Sequence, residues 1–223
     1  MQCRIATKGP ELDVIQSFLD RDICGHRGGC ALSIFHEPRL ETGYPDLVFV
    51  YWDRAAADGW PVSRTELTGG DLRLLQYIHG ARSLSRAEIR SRQNRLETER
   101  SIDRLSAAGT VKVSSRSIRI KPLREIFAVR RIIALEAKIK DWRRGLQQAF
   151  LNTWFASESF LLLPRIPAAG SLTDDAARLG VGVLSADRSL STPQIRSRRD
   201  RLPQSYASWL FNEWVWRGFG RLS

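Results

Sequence analysis

Cysteine, histidine and methionine are scarce in this chain of 223 residues, which holds three cysteines, three histidines and one methionine. Cys3, Cys24 and Cys30 are odd in number and stand at no spacing that a thiolate metal centre uses. A disulfide scaffold and a structural zinc site are both set aside on that ground. His26 and His36 form no His-x-x-His pair, and a loop or core role is expected for each. No run of about 18 apolar residues occurs, so no membrane-spanning helix is expected. The opening MQCRIATKGP has no hydrophobic signal region, which makes a cytoplasmic protein the expectation. A basic amphipathic helix with large exposed apolar residues is also missing, so a membrane surface is not the expected partner.

Acid is the charge in short supply. Against 35 Lys and Arg there are 24 Asp and Glu, a net +11 with a pI near 10.4. The imbalance sits in one place: residues 82–144 hold 18 basic and 7 acidic side chains, a surplus equal to that of the whole chain. A solvated surface mixes its signs, whereas a concentrated positive region points to a polyanion, with nucleic acid the expected partner.

The chain is organised around residues 132–150, IIALEAKIKDWRRGLQQAF. Its first half alternates, with Ile133, Leu135, Ala137 and Ile139 on one side and Ala134, Glu136, Lys138 and Lys140 on the other. Period two is a strand, and it makes Glu136 and Lys138 project together. Burying a carboxylate and an ammonium at the end of an apolar strand carries a desolvation cost that packing does not offset. After Asp141 the period becomes helical, with Trp142, Leu146, Ala149 and Phe150 expected on one face. Earlier in the chain, Gly43-Tyr44-Pro45-Asp46 leads into the apolar strand Leu47-Val48-Phe49-Val50.

An aspartate opening one strand, a Glu-x-Lys ending another, and a following helix with basic residues and glutamines together resemble the PD-(D/E)xK nuclease superfamily. The resemblance implies an α/β, restriction-endonuclease-like mixed sheet flanked by helices. It also implies Mg²⁺, with Mn²⁺ as a substitute, held by Asp46, Glu136 and the carbonyl of Ala137. Lys138 would orient the attacking water or stabilise negative charge, and Gln147 or Gln148 would contact the scissile backbone. Arg143 and Arg144 open that helix as DNA contacts. The first helix, over 11–19 with Pro10 at its start, offers Glu11 as a candidate further acid. No tyrosine follows the glutamines, where Phe150, Leu151 and Asn152 stand. That departs from the exonuclease branch and leaves an endonuclease or resolvase-like activity.

Residues 53–70 read as a linker. Beyond them come a helix over 71–78, a capping box Ser85/Glu88, a second box Asn94/Glu97, and a hairpin over 110–121. Three helices and a hairpin resemble a winged helix-turn-helix. It would present Arg95, Arg100 and Arg104 to a groove of double-stranded DNA and Lys112, Arg116, Arg119 and Lys121 to phosphates. The expected organisation is a nuclease-like core in 1–66 and 122–187, a winged helix inserted at 67–121, and a basic, aromatic tail at 188–223. Aromatics in that tail either stack bases or join a core. The expected activity is metal-dependent endonucleolytic cleavage of DNA. Its rival is a non-catalytic DNA-binding regulator, or a recruiting subunit of a defence, repair or transposition complex. Cutting both strands with one site per chain would call for a homodimer.

Overall fold

The apolar runs of the sequence lie side by side in the computed structural model, which describes residues 9–22, 29–41, 43–91, 94–167 and 171–219. In chain order the elements begin with α1 (Pro10–Asp22), β1 (Ala31–His36), β2 (Leu47–Trp52), α2 (Arg54–Ala57) and a 3-10 turn (Val62–Glu66). Next come α3 (Gly69–Ala81), β3 (Ser83–Ser85), α4 (Arg86–Ser91), α5 (Arg95–Ala107), β4 (Val111–Val113) and β5 (Ser117–Ile120). The remainder is α6 (Leu123–Ile126), β6 (Val129–Ala137), α7 (Trp142–Asn152), β7 (Glu158–Leu163), α8 (Leu172–Leu179), β8 (Gly182–Ser185) and α9 (Tyr206–Phe219). Two compact units result: Met1–Trp52 with Arg130–Gln204, and Asp53–Val129 with Ser205–Ser223. No helix among the described residues is long and apolar enough to cross a membrane.

The first unit is built on a five-stranded mixed sheet of order β1-β2-β6-β7-β8. β1 runs antiparallel to β2, while β6, β7 and β8 run parallel to one another. β6 is antiparallel to β2: Ala128 receives the Asp53 N–H at one end, and the Ala137 N–H meets the Asp46 carboxylate at the other. Parallel neighbours need a crossover, and α7 and α8 provide them. Strands buried on both faces read as continuous apolar runs, as LVFVYW and ESFLLL do.

α1 covers one face, where Ile15, Phe18 and Leu19 pack on Leu47, Phe49, Ile133 and Leu135. α7 and α8 cover the other, with Leu146, Ala149, Leu172 and Ala176 against Leu161, Leu163 and Val183. Strand alternation therefore turns Ile133, Leu135 and Ala137 toward α1 and Glu136 toward α7. The outer edge of β8 is closed by the tail, as Val183 and Ile195 exchange backbone hydrogen bonds of 3.0 and 3.2 Å.

In the second unit a three-stranded sheet of order β3-β5-β4 stands with α3, α4 and α5. The Ser85/Glu88 box forms as expected, with the Ser85 N–H on Glu88 at 2.8 Å and the Glu88 N–H on Ser85 Oγ at 3.2 Å. The Asn94/Glu97 box does not form: Asn94 makes no side-chain cap bond. Glu97 turns instead to Arg104, which donates to it at 3.0 Å. Residues 53–70 are no linker, since they hold α2, the 3-10 turn and the Thr68/Asp71 capping box of α3. β3 escaped the sequence reading because Ser-Leu-Ser offers one apolar side chain and no alternation. Its strand character comes from pairing Leu84 with Ile118.

The tail helix α9 joins this unit's core. Trp209 and Phe211 are fully buried, and the Trp209 indole donates to Gln76 at 2.7 Å on α3. Base stacking by those two aromatics is thereby excluded. The inserted unit is wider than 67–121 and takes in residues at both ends of that range as well as α9.

Candidate metal centre and nucleic-acid interface

Asp46 is the residue before β2, and Glu136 is the penultimate residue of the neighbouring β6. The Ala137 N–H donates to Asp46 Oδ2 at 2.8 Å, which ties the aspartate to the end of the glutamate's strand. Glu136 is 3% exposed and accepts a 2.8 Å hydrogen bond from Asn152 Nδ2 on its Oε1. Its Oε2 is buried and finds no hydrogen-bond partner among the described residues, and neither does Gln148 Oε1. A buried polar atom without a partner is costly, and a bound cation is one reason a fold tolerates it. Lys138 donates from Nζ to its neighbour's carbonyl, Ala137 O, at 2.9 Å and stands 3.5 Å from Glu11 Oε1.

Burial, with repulsion from Asp46 second, pushes the Glu136 carboxyl up to about 8, against the opposing Asn152 hydrogen bond and Lys138 charge. Burial also raises Asp46. The Ala137 N–H and Lys138 hold it down, while Glu11 and Glu37 add to the rise. Two carboxyls that disfavour their own ionisation in one place form a site short of positive charge.

Beside them opens a cleft of about 560 Å³ lined by Pro10, Glu11, Lys138, Lys140, Asp141, Arg144 and Gln148 among others. A smaller one of about 320 Å³ is lined by Glu11, Glu37, Tyr44, Asp46 and Gln148. Gln148 faces both, whereas Gln147 points to solvent, which decides between the two glutamines. Asp141 caps α7 by accepting the Arg144 N–H at 3.1 Å. Arg143 stacks over its own neighbour Trp142, 4.6 Å from the ring centroid. Phe150 was expected on the buried stripe with Trp142, Leu146 and Ala149 but is 43% exposed. Helical residues advance by about 100°, so Phe150 falls off that stripe, and Gly145 and Asn152 complete it.

Asn152 is the functional candidate the sequence reading passed over. Only its helix face was legible: it stands four residues after Gln148, so both amides share one face of the helix that follows the Glu-x-Lys, but nothing local pairs it with Glu136.

Comparisons with protein families, curated proteins and solved structures return no match. Among the described residues no group of three or more His, Cys, Asp and Glu could hold a metal ion. The donor set is two carboxylates, Asp46 and Glu136, with Glu11 half-exposed on the lip and paired to Lys138. Few protein carboxylates and remaining water ligands are what Mg²⁺ accepts, while Zn²⁺ and Ca²⁺ ask for more protein ligands.

In the second unit, the Arg104 guanidinium, expected to face a groove, is engaged by a buried acid. The guanidinium donates to both oxygens of Asp71, which is fully buried, at 2.9 and 2.8 Å. Burial alone would raise Asp71, yet hydrogen bonds from Arg104, Ser101 and Thr68 hold it below its ordinary value. Arg95 pairs with Glu99 at 3.0 Å and Arg100 with Glu97 at 3.8 Å, so the arginines of α5 are balanced by its own glutamates. The hairpin is different. Residues 108–124 carry five Lys and Arg and no acid. Lys112 stands directly opposite Arg119 on β4 and β5, both exposed, with exposed Arg116 in the turn between. Like charges facing each other across a ladder are unfavourable unless an anion lies between them.

Proposed function

We propose that the chain is a divalent-metal-dependent nuclease of the PD-(D/E)xK type that hydrolyses phosphodiester bonds in duplex DNA. The single observation that carries this reading is the convergence of Asp46, Glu136 and Lys138 at the ends of neighbouring strands, with Glu136 Oε2 buried and without a partner. The mixed sheet, with helices on both faces and the second unit inserted between β2 and β6, supports a restriction-endonuclease-like core. The helices α3, α4 and α5 with the sheet β3-β5-β4 support a winged helix.

Asp46 and Glu136 would hold Mg²⁺, with Gln148 Oε1 beside them. The ion, when bound, supplies the positive charge that lowers the pKa of a water and stabilises the transition-state phosphate. Lys138, largely buried and lining the cleft, would place a fixed cation where the attacked phosphate gathers charge. Arg144 lines the same cleft and would hold a neighbouring phosphate of the strand. Glu11 keeps the Lys138 ammonium oriented toward the opening of α1.

The test is plasmid cleavage with Mg²⁺ or Mn²⁺, beside EDTA and the variants Asp46→Ala and Lys138→Ala. Nicking or linearisation that needs metal and disappears in both variants is the expected result. Binding without metal-dependent cleavage would leave a non-catalytic DNA-binding protein.

The grip on DNA is assigned to the hairpin and its phosphate contacts. Lys112→Ala and Arg119→Ala are each expected to flatten the slope of log affinity against log salt by about 0.9, measured by fluorescence anisotropy on a duplex. Arg104→Ala is expected to leave that slope alone and to lower the melting temperature, because it strands Asp71. An unchanged slope in both hairpin variants would remove the hairpin from the interface.

A further inference from the structure

We propose that α7 is the positioning element of the site, with Gly145 fixing the path of the Lys138 side chain and Asn152 fixing the Glu136 carboxylate. The proposal rests on the nuclease reading above and adds two residues to it, neither of which touches the reacting atoms.

Gly145 is helical and buried, and a glycine there costs about 1 kcal/mol of helix propensity relative to alanine. Its backbone is not in the left-handed region, so conformational freedom is not the reason for it. Close approach is: a Cβ at 145 would lie 2.5 Å from Lys138 Cγ, 2.6 Å from Leu161 Cδ1 and 3.3 Å from Lys138 Cβ. The stem of Lys138 therefore runs against the bare backbone of α7. That contact leaves the side chain 14% exposed and sends Nζ toward Ala137 O and Glu11. An added methyl must displace that stem, and it crowds Leu161 Cδ1 as closely.

Asn152 lies two turns further along the same helix, is 4% exposed, and donates to Glu136 Oε1 at 2.8 Å. Engaging one carboxylate oxygen fixes the rotation of the group, so the unpartnered Oε2 is the oxygen left for a cation. Partners that orient a ligand in this way are worth about 10–100-fold in metal affinity or activity. The seven-residue spacing of Gly145 and Asn152 repeats nearly two full turns, which is why one helix face serves both strand residues.

The experiment uses the full chain with three readouts: direct Mn²⁺ binding by titration calorimetry without DNA, cleavage kinetics, and thermal melting. Asn152→Leu and Asn152→Ala delete the donor; both are expected to weaken Mn²⁺ binding tenfold or more. Gly145→Ala is expected to bind Mn²⁺ as the wild type does, to keep KM for DNA within twofold, and to lose about 100-fold in kcat, the size expected for an ångström-scale misplacement. Leu161→Val loosens the same core without crowding Lys138, and it should keep kcat even where its melting point falls. Wild-type kcat in Gly145→Ala together with wild-type Mn²⁺ affinity in both Asn152 variants would overturn the proposal while leaving the nuclease reading intact. A wild-type chain that neither binds Mn²⁺ nor cuts would overturn the nuclease reading, and the proposal with it.

Discussion

Glu136→Gln is expected to abolish metal-dependent cleavage and, in the metal-free protein, to raise the melting temperature. Glutamine keeps the oxygen that accepts from Asn152 Nδ2. It removes the charge that burial and Asp46 make unfavourable. The pH dependence follows from the direction of the shift. A carboxyl whose pKa is 4.5 in the unfolded chain and about 8 in the folded one binds an extra proton in the folded state between those values. Stability from this group is therefore full below the lower value and declines as pH rises toward the upper one.

The variant should match the wild type near the lower value and exceed it increasingly up to about pH 9. Each kcal/mol gained would read as a rise of roughly 2–4 °C. Mg²⁺ should raise the melting point of the wild type and not of the variant, since only a site that binds the ion gains from it. A Glu136→Gln protein that still cuts, or one whose stability advantage over the wild type is no larger at pH 9 than at pH 5, would refute the assignment of Glu136. Activity held at a cost in stability is what a site evolved for binding a cation should show.

The strand that carries Glu136 was legible because its alternation is strict and its apolar run is long. Asp46 was legible for a related reason, since Gly and Pro mark the turn that ends beside it. The same logic explains what was not legible. Asn152 acts through a partner on another element 16 residues earlier, and no local period encodes that distance. Arg104 carries the charge expected of a DNA contact, yet its bidentate match to Asp71 came from 33 residues away. Sequence shows that an arginine is present but not which carboxylate has claimed it. The hairpin basics Lys112, Arg116 and Arg119 stand exposed, and no acid within 108–124 offers them a local partner. Reading 53–70 as a linker failed on composition: Gly, Pro and Ala were taken as turn signals, while the decisive residue was an arginine whose partner lies near the end of the chain.

That arginine gives the second large effect. Glu213→Ala is expected to destabilise the second unit by about 3–5 kcal/mol, the cost of leaving a buried charge without its partner. Arg64 is fully buried, and its Nε and Nη2 donate to the two oxygens of Glu213 at 3.1 and 2.5 Å. The guanidinium also donates to Ile126 O at 3.0 Å and stacks over Trp60, 3.5 Å from the ring centroid. Asn212 adds a donor to Glu213 at 3.1 Å and accepts the Ala128 N–H at 2.8 Å. With alanine at 213, Arg64 cannot reach water and cannot lose its proton, since guanidinium remains charged at any pH of interest. The unit must open or admit solvent.

Replacing both partners, as in Arg64→Met with Glu213→Leu, removes both charges and keeps most of the volume. This double variant should recover most of the loss, because desolvating an ion pair offsets much of its attraction. Urea unfolding of the wild type, the single and the double variants measures all three. A Glu213→Ala midpoint within about 0.5 kcal/mol of wild type, the range of an ordinary surface change, would show that the pair does not hold α9 to the 3-10 turn. A double variant as unstable as the single one would show that the Ile126 and Trp60 contacts of Arg64, rather than its pairing with Glu213, carry the stability.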